Sequence, residues 1–420
     1  MTATSTAQRW GAVLAMSLAA FALIASEFMP VSLLTPLAAD LGITEGQAGQ
    51  GISVSGLFAL LTSLIIASVA ARIDRRWLLI SLTMLMIVSG TVVAFAPNYL
   101  IFMLGRGLIG VAIGGFWSLS AATAMRLVSA PLVPRALAMI NGGNAFAMVI
   151  AAPLGSFLGA LIGWRGAFFC VVPVAVVAVV WLLLSLPSIR TQAVGKTINP
   201  VRLMKNGPVA LGMVAVSTFF MGQFMLFTYL RPFLETVTHV SVSMLSLILL
   251  VLGLAGLAGT FLIERFLKNG LYPTLIVIPL MMATVAIALV MVGRSTLMTT
   301  VLLALWGLMA TAAPVGWWTW LARTLPHDAE AGGGLMVAII QLAIALGAIT
   351  GGWVFDRRGY QATFELSAAV LGAAAVLAWA AGRAAKPQRP TTGWAYRDSR
   401  PQDNRNLHEA LRARTATHRT

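Results

Sequence analysis

Along the chain, apolar stretches of some 20 residues or more alternate with short polar breaks. Residues 46–71, 77–99, 136–163 and 166–186 contain no charged side chain, 11–35 contains only Glu27, and 100–125 only Arg106. The second half reads the same way: 207–230, 240–263, 270–293, 295–322 and 331–355 are free of charge, and 362–382 holds only Glu365 near its start. A helix needs about 20 apolar residues to cross roughly 30 Å of hydrocarbon, so the pattern predicts twelve transmembrane helices. Strand-like alternation is absent, and each stretch is about twice the length of a barrel strand, which excludes a transmembrane barrel. The fold expected is an all-α membrane protein. The first stretch is too long for the apolar core of a signal peptide and is followed by no small-residue cleavage site, so it is expected to remain, with no exported soluble domain.

Composition agrees with that reading. Of 420 residues 59% are hydrophobic and only 10% charged, a balance that a water-soluble domain could not cover with polar surface. The 28 Lys and Arg against 13 Asp and Glu are unevenly placed. With the N-terminus inside, the inner loops around 72–76, 126–135, 187–206, 264–268 and 323 carry twelve Lys or Arg, whereas the outer loops carry five: Arg165, Arg231, Arg294, Arg357 and Arg358. Positive charge marks the cytoplasmic side, so both termini are expected in the cytoplasm and the chain in a bacterial inner membrane. The net charge of +15 reflects this bias and a basic tail, and calls for a lipid bilayer as partner, with no nucleic acid. Cys170 lies within an apolar stretch and is read as a small core residue without a disulfide.

Five segments follow: a cytoplasmic N-terminus at 1–10, a first bundle of six helices at 11–186, a cytoplasmic connection at 187–208, a second bundle of six at 209–382, and a tail at 383–420. The tail has nine Lys or Arg, three acids and several Pro and Thr, which predicts a disordered cytoplasmic segment. The two bundles are expected to be duplicates. Ser26-Glu27-Phe28-Met29 running on to Pro36 matches Gly222-Gln223-Phe224-Met225 running on to Pro232, at an offset of 196. Asp74-Arg75 recurs as Glu264-Arg265 at an offset of 190, and Leu154-Gly155 with Gly159 recurs as Leu346-Gly347 with Gly351.

An ionisable residue inside a span costs several kcal/mol unless it is paired, neutralised or wetted, so Glu27 and Arg106 demand a reason. Glu27 lies about 12 Å and Arg106 about 9 Å inside the outer ends of their spans, which allows them to meet in one layer. One reading makes Glu27 a proton carrier whose affinity depends on burial and on the distance of the guanidinium; the other makes the two a fixed pair joining two helices. Gln223, at the repeat position of Glu27, is an amide able either to bind a neutral polar solute or to join two helices. Catalysis finds no constellation. His239, His327, His408 and His418 are scattered without metal spacing, and no P-loop is present, so the expectation is no enzyme, no metal and no cofactor.

Duplicated six-helix halves with an acid-arginine loop after the second helix of each resemble the major facilitator superfamily, and the local motifs resemble its drug:proton antiporter branch. The loop motif is represented by Asp74-Arg75-Arg76, the span-four arginine and glycine by Arg106 and Gly110, and the antiporter signature of span five by Ala152-Pro153-Leu154-Gly155 with Gly159. The strings 26–36, 114–117, 151–159, 227–232 and 314–317 are similar to those of the bacterial purine ribonucleoside efflux pumps, a likeness that runs through 10–382. The resemblance implies export of inosine-like or guanosine-like nucleosides by alternating access, driven by proton entry, with gating by Asp74, Arg75, Arg76, Glu264 and Arg265. It also implies which spans line the cavity. Their candidates for holding a base and a sugar are Trp117, Tyr229, Trp317 and Trp318 as aromatic faces, with Asn141, Asn144, Gln223 and Gln341 as amides. An interfacial aromatic belt is the competing role for the Trp and Tyr residues. Pro153, Gly155, Gly159, Gly347 and Gly351 are read as packing or hinge residues. Efflux of sugars or drugs, uptake by symport, and a membrane sensor or scaffold that moves nothing remain alternatives, and a monomer is expected.

Overall fold

Lipid offers the backbone no hydrogen bonds, so each apolar stretch satisfies its own as a helix. The computed structural model describes residues 9–70, 72–129, 132–189, 200–325 and 329–385. Its helices are α1 (Trp10–Leu41), α2 (Glu45–Ala70), α3 (Arg75–Ala94), α4 (Tyr99–Leu127), α5 (Val133–Phe169), α6 (Val171–Ser185), α7 (Gly207–Phe227), α8 (Leu230–Thr236), α9 (Val242–Asn269), α10 (Leu271–Val292), α11 (Thr296–Thr324) and α12 (Ala329–Ala384). Short polar breaks set the ends. Asp74, Asn98, Ser241 and Ser295 cap α3, α4, α9 and α11 by accepting from the N–H of Arg76, Ile101, Met244 and Met298. α1 stops at Gly42, whose φ of 64° suits a left-handed cap.

Ten continuous helical stretches among the described residues are apolar and long enough to cross a membrane, but two of them run for 51 and 53 residues. A straight helix of that length would extend about 75–80 Å, more than twice the hydrocarbon thickness. Each is broken once, at Gly163 (φ 75°) in α5 and at Gly359 (φ 77°) in α12, so each makes two crossings and the total is twelve. These two glycines lie 196 apart, the offset of the sequence repeat. α7 and α8 together form one span, Gly207–Thr236.

The first-half core gathers residues such as Leu23, Ile109, Ala147 and Leu182, and the second-half core Phe219, Trp306, Met336 and Leu371. Close helix approach repeats between the halves: a Cβ on Gly114 of α4 would strike the carbonyl of Ala59 on α2, and one on Gly259 of α9 that of Leu308 on α11. Large apolar side chains such as Phe261, Met291 and Leu184 stay exposed around the perimeter, where lipid is the solvent.

Two sequence expectations are corrected. Cys170 is exposed at the α5–α6 junction, not a core residue, because in lipid an apolar stretch has no need to turn every small side chain inward. Arg231 is not an outer-loop residue. The helix continues past it, and it is buried in an ion pair with Glu235 at 2.8 Å. The connection at 190–199, the N-terminal residues 1–8, and the tail from 386 lie outside the described residues, as do His327, His408 and His418.

Candidate functional site

Pro30 and Pro36 stand inside α1. A proline lacks the N–H that would bond the carbonyl four residues earlier, so Ser26 and Ser32 each lose a helical partner. Both carbonyls are taken by arginines. Arg106, wholly buried on α4, donates from Nη1 to the Ser26 carbonyl at 2.8 Å and from Nη2 to the Glu27 carbonyl at 3.1 Å. It also donates from Nε to the Gly51 carbonyl at 3.1 Å and from Nη2 to Ser55 Oγ at 3.2 Å, which ties α1, α2 and α4 together. Arg231 donates from Nη1 to the Ser32 carbonyl and so ties α8 to α1.

Glu27 and Arg106 therefore meet in one layer, but the fork is spent on main-chain oxygen and forms no ion pair with the carboxylate. The Glu27 side chain, 4% exposed, is faced instead by the Gln341 side chain from α12, with the Arg106 charge acting on it from nearby. Gln341 is 8% exposed and its Oε1 has no partner; the same holds for Gln223, 7% exposed on α7. Gln223 is next to Phe224, whose ring stacks at 5.8 Å on Phe28, the residue next to Glu27. The buried acid and the Gln341 amide with its unmet acceptor thus lie between α1 and α12, and α7, which carries Gln223, meets α1 through the Phe28–Phe224 stack. Unmet buried acceptors are rare in proteins and invite a donor from a solute or water.

Phe227 joins Phe28 and Phe224 at 6.5 and 5.9 Å, so the aromatic faces beside this polar centre are three phenylalanines absent from the sequence-based candidates. The signal was present, since Phe28 and Phe224 occupy one column of the repeat. The proposed aromatics lie elsewhere. Trp117 is half-buried against Phe116 and the first-half core. Trp317 is 2% exposed and packs edge-on against Trp320 in the second-half core, while Trp318 is 44% exposed next to Gly333. Tyr229 is wholly buried, donates to the Ala348 carbonyl at 2.8 Å, and stacks on Phe355, so it is no platform for a base. Asn141 is exposed and bonds the Leu137 carbonyl of its own helix, and Asn144 is half-buried on the same helix.

The repeated glycines do pack. Gly155 and Gly159 of α5 press on Ser32 and Leu33 of α1, as Gly347 and Gly351 of α12 press on Met221 and Met225 of α7. Pro153 lies buried inside α5, whose only non-helical residue is Gly163.

The sequence profile of the Major Facilitator Superfamily matches residues 16–348. The chain belongs to the major facilitator superfamily. A protein of Pseudomonas aeruginosa named transcription regulatory protein OpdE is 59% identical to this superfamily member over 382 residues, 90% of this chain and 95% of its own. The purine ribonucleoside efflux pump NepI of Salmonella paratyphi B is 41% identical over 362 residues, 86% of this chain and 91% of its own. Among solved structures, a bacterial homolog of the human lysosomal transporter Spinster, in an inward-facing and unoccupied conformation, matches with a TM-score of 0.74 at 15% identity, covering 91% of this chain and 98% of its own. A mutant of the nucleoside transporter NupG matches with 0.73 at 15%, covering 89% and 99%. These structures carry the fold alone.

In this major facilitator protein the hydrogen bonds that join the halves, among the described residues, gather toward the end carrying the α1–α2 turn. Asp356, at the end of the first limb of α12, accepts from Thr44 Oγ1 at 2.6 Å and from the Gly46 N–H at 3.0 Å, where it meets the positive N-terminus of α2. Ser53 donates to the Ala345 carbonyl at 3.0 Å, Arg231 clasps Ser32, and Tyr229 wedges between Gly49 and Gly352. The predicted gating residues sit at the opposite end and bond within their own halves. Asp74 accepts from the N–H of Arg76 at 2.9 Å and of Ile189 at 2.8 Å, Arg76 donates to the Leu183 carbonyl, and Glu264 pairs with Lys268 along exposed α9. Arg75 begins α3, its N–H bonded to the Ile189 carbonyl, and Arg265 is exposed. The bonded end is thus carried by Asp356, Ser53, Arg231 and Tyr229, of which the sequence had marked Arg231 as an outer-loop charge and Tyr229 as an aromatic face.

Proposed function

We propose that this protein is a secondary transporter that exports purine ribonucleosides of the inosine and guanosine type by alternating access, in exchange for protons that bind at Glu27. The observation that carries the reading is the buried Glu27 carboxyl faced across the two halves by Gln341, whose buried amide oxygen has no partner. A buried acid in a membrane span marks an ion path by default, and unmet amide acceptors suit the N–H and O–H groups of a nucleoside. The substrate class follows the 41% identical efflux pump. The loop charges argue for an inner membrane with both termini cytoplasmic. On that orientation the sealed end is periplasmic, and the conformation is the one in which an exporter loads. The gradient supplies the energy and no cofactor takes part. A second reading, a membrane sensor that binds solute without moving it, is favoured by the 59% identity to a protein named as a transcription regulator.

The test is radiolabelled inosine in proteoliposomes. Wild type is expected to show counterflow and to accumulate inosine against its gradient when a pH gradient is imposed. Glu27→Gln keeps shape and hydrogen bonding but cannot release a proton, so gradient-driven accumulation should fall at least about tenfold while counterflow persists. Binding without counterflow would support the sensor, and movement of arabinose or cationic dyes but not inosine would replace the substrate.

A further inference from the structure

Gln341 faces Glu27 with its side chain, and its Oε1 is buried without a partner. Its backbone is fixed, because its carbonyl lies against Gly56 of α2 and the next helical turn receives the bond from Ser53. Four of the five N–H donors of Arg106 are used on main-chain and serine oxygens, and it makes no ion pair with the carboxyl. Arg106 is the charged group whose field acts on Glu27 among the described residues; of the other elements that face α1 or this layer, the membrane-buried parts of α2, α3, α5, α6, α7 and α12 contain no ionisable acid or base, and α8 brings the buried Arg231–Glu235 pair, whose arginine is bonded to the Ser32 carbonyl of α1.

We propose that Gln341 makes proton binding and solute binding mutually exclusive, by offering its Oε1 to the solute only while Glu27 is ionised. The inference rests on Glu27 as the proton site. An ionised carboxylate only accepts, so it draws the Gln341 N–H and leaves Oε1 free to take a donor from the solute. When a proton from water adds to the carboxylate, Glu27 becomes an acid with one O–H and one carbonyl. Acid and amide then pair face to face, the O–H donating to Oε1 and the Gln341 N–H to the carbonyl. The acceptor is thereby withdrawn. The solute loses one hydrogen bond at a buried site, a difference of about tenfold in affinity. By linkage the coupling is reciprocal, so solute binding expels the proton. Protonation at the sealed end and loading at the open end then need no long-range signal, because one side chain belongs to both sites.

The experiment measures inosine binding to the purified full-length protein across a pH series, together with proton release on binding, for wild type, Glu27→Gln, Gln341→Leu and Gln341→Asn. Wild-type affinity is expected to fall about tenfold as the pH drops through the Glu27 titration, with protons released on binding. Glu27→Gln should bind without pH dependence. Gln341→Leu should bind more weakly and lose both the pH dependence and the proton release, while infrared difference spectra still show Glu27 taking up a proton. Gln341→Asn, whose shorter arm cannot hold acid and solute together, is expected to show the same losses and replaces the leucine variant if that one does not fold. Full pH dependence and proton release in both Gln341 variants would overturn the coupling role while leaving Glu27 as the proton site. Unchanged pH dependence in Glu27→Gln, or no inosine binding at any pH, would remove the reading beneath it as well.

Discussion

At the scale of single residues, the two prolines of α1 explain why two arginines are buried. Pro30 and Pro36 were visible in the sequence, and so was Arg106, but their relation was not. It depends on α4 placing a fork within reach of the Ser26 carbonyl, which only the packed helices decide. Sequence reasoning brought Glu27 and Arg106 into one layer, as a proton carrier tuned by the guanidinium or as a fixed pair, and did not foresee that the guanidinium clamps main-chain carbonyls. Gln341 and Gln223 were legible as polar residues in apolar spans. The Phe28–Phe224 stack was not anticipated, because the aromatic search looked to Trp and Tyr. The clamp predicts a specific coupling. Arg106→Lys removes the planar fork and leaves several carbonyls short of a donor, which should cost about 1–3 kcal/mol of stability in detergent. Pro30→Ala returns an N–H to the Ser26 carbonyl, so the same arginine substitution should cost less in that background. Thermal unfolding of the four proteins of this cycle measures it, and purely additive effects would mean that the freed carbonyl is not what Arg106 serves.

At the scale of elements, hydropathy found every crossing, including those that the structure joins into one stretch of α5 with α6 and into α12, since Gly163 ends one apolar stretch and Gly359 falls between two. The end of span seven was missed because Arg231 resembled a boundary charge; Glu235 and the Ser32 carbonyl are what allow the helix to carry it inward. The gate was sought at Asp74 and Glu264 because that acid-arginine pair repeats. The seal instead uses Asp356, which has no counterpart in the repeat and is recognisable only once α12 meets the N-terminus of α2. That contact can be locked. In a Cys170→Ser background, cysteines replacing Thr44 and Asp356 should crosslink, because their side-chain oxygens already lie 2.6 Å apart. The crosslink is expected to abolish inosine counterflow by at least about tenfold while leaving binding from the open end, and reduction should restore transport. Undiminished counterflow in fully crosslinked protein would show that this end does not open.

At the scale of the whole molecule, the position of the seal and the distribution of charge make one statement about direction. The bonded end carries the α1–α2 turn, and the α2–α3 and α4–α5 connections with most of the loop arginines lie at the other. If positive loops are cytoplasmic, the end at which the halves are bonded together faces away from the compartment that an exporter empties. A fold of duplicated halves does not decide this by itself, because inverting the molecule would turn the same geometry into a conformation poised for uptake. Orientation therefore has to be measured in cells. Reporter fusions at Gly195 and Thr420 should both behave as cytoplasmic, and in a Cys170→Ser background a cysteine at Gln47, exposed at the start of α2, should be labelled by an impermeant maleimide added outside the inner membrane. The two arms check each other, since the fusions report the charged end and the thiol reports the sealed end of the same helices. A periplasmic signal from either fusion, with Gln47→Cys labelled only after lysis, would invert the molecule and turn the conformation seen here into the loading state of an importer.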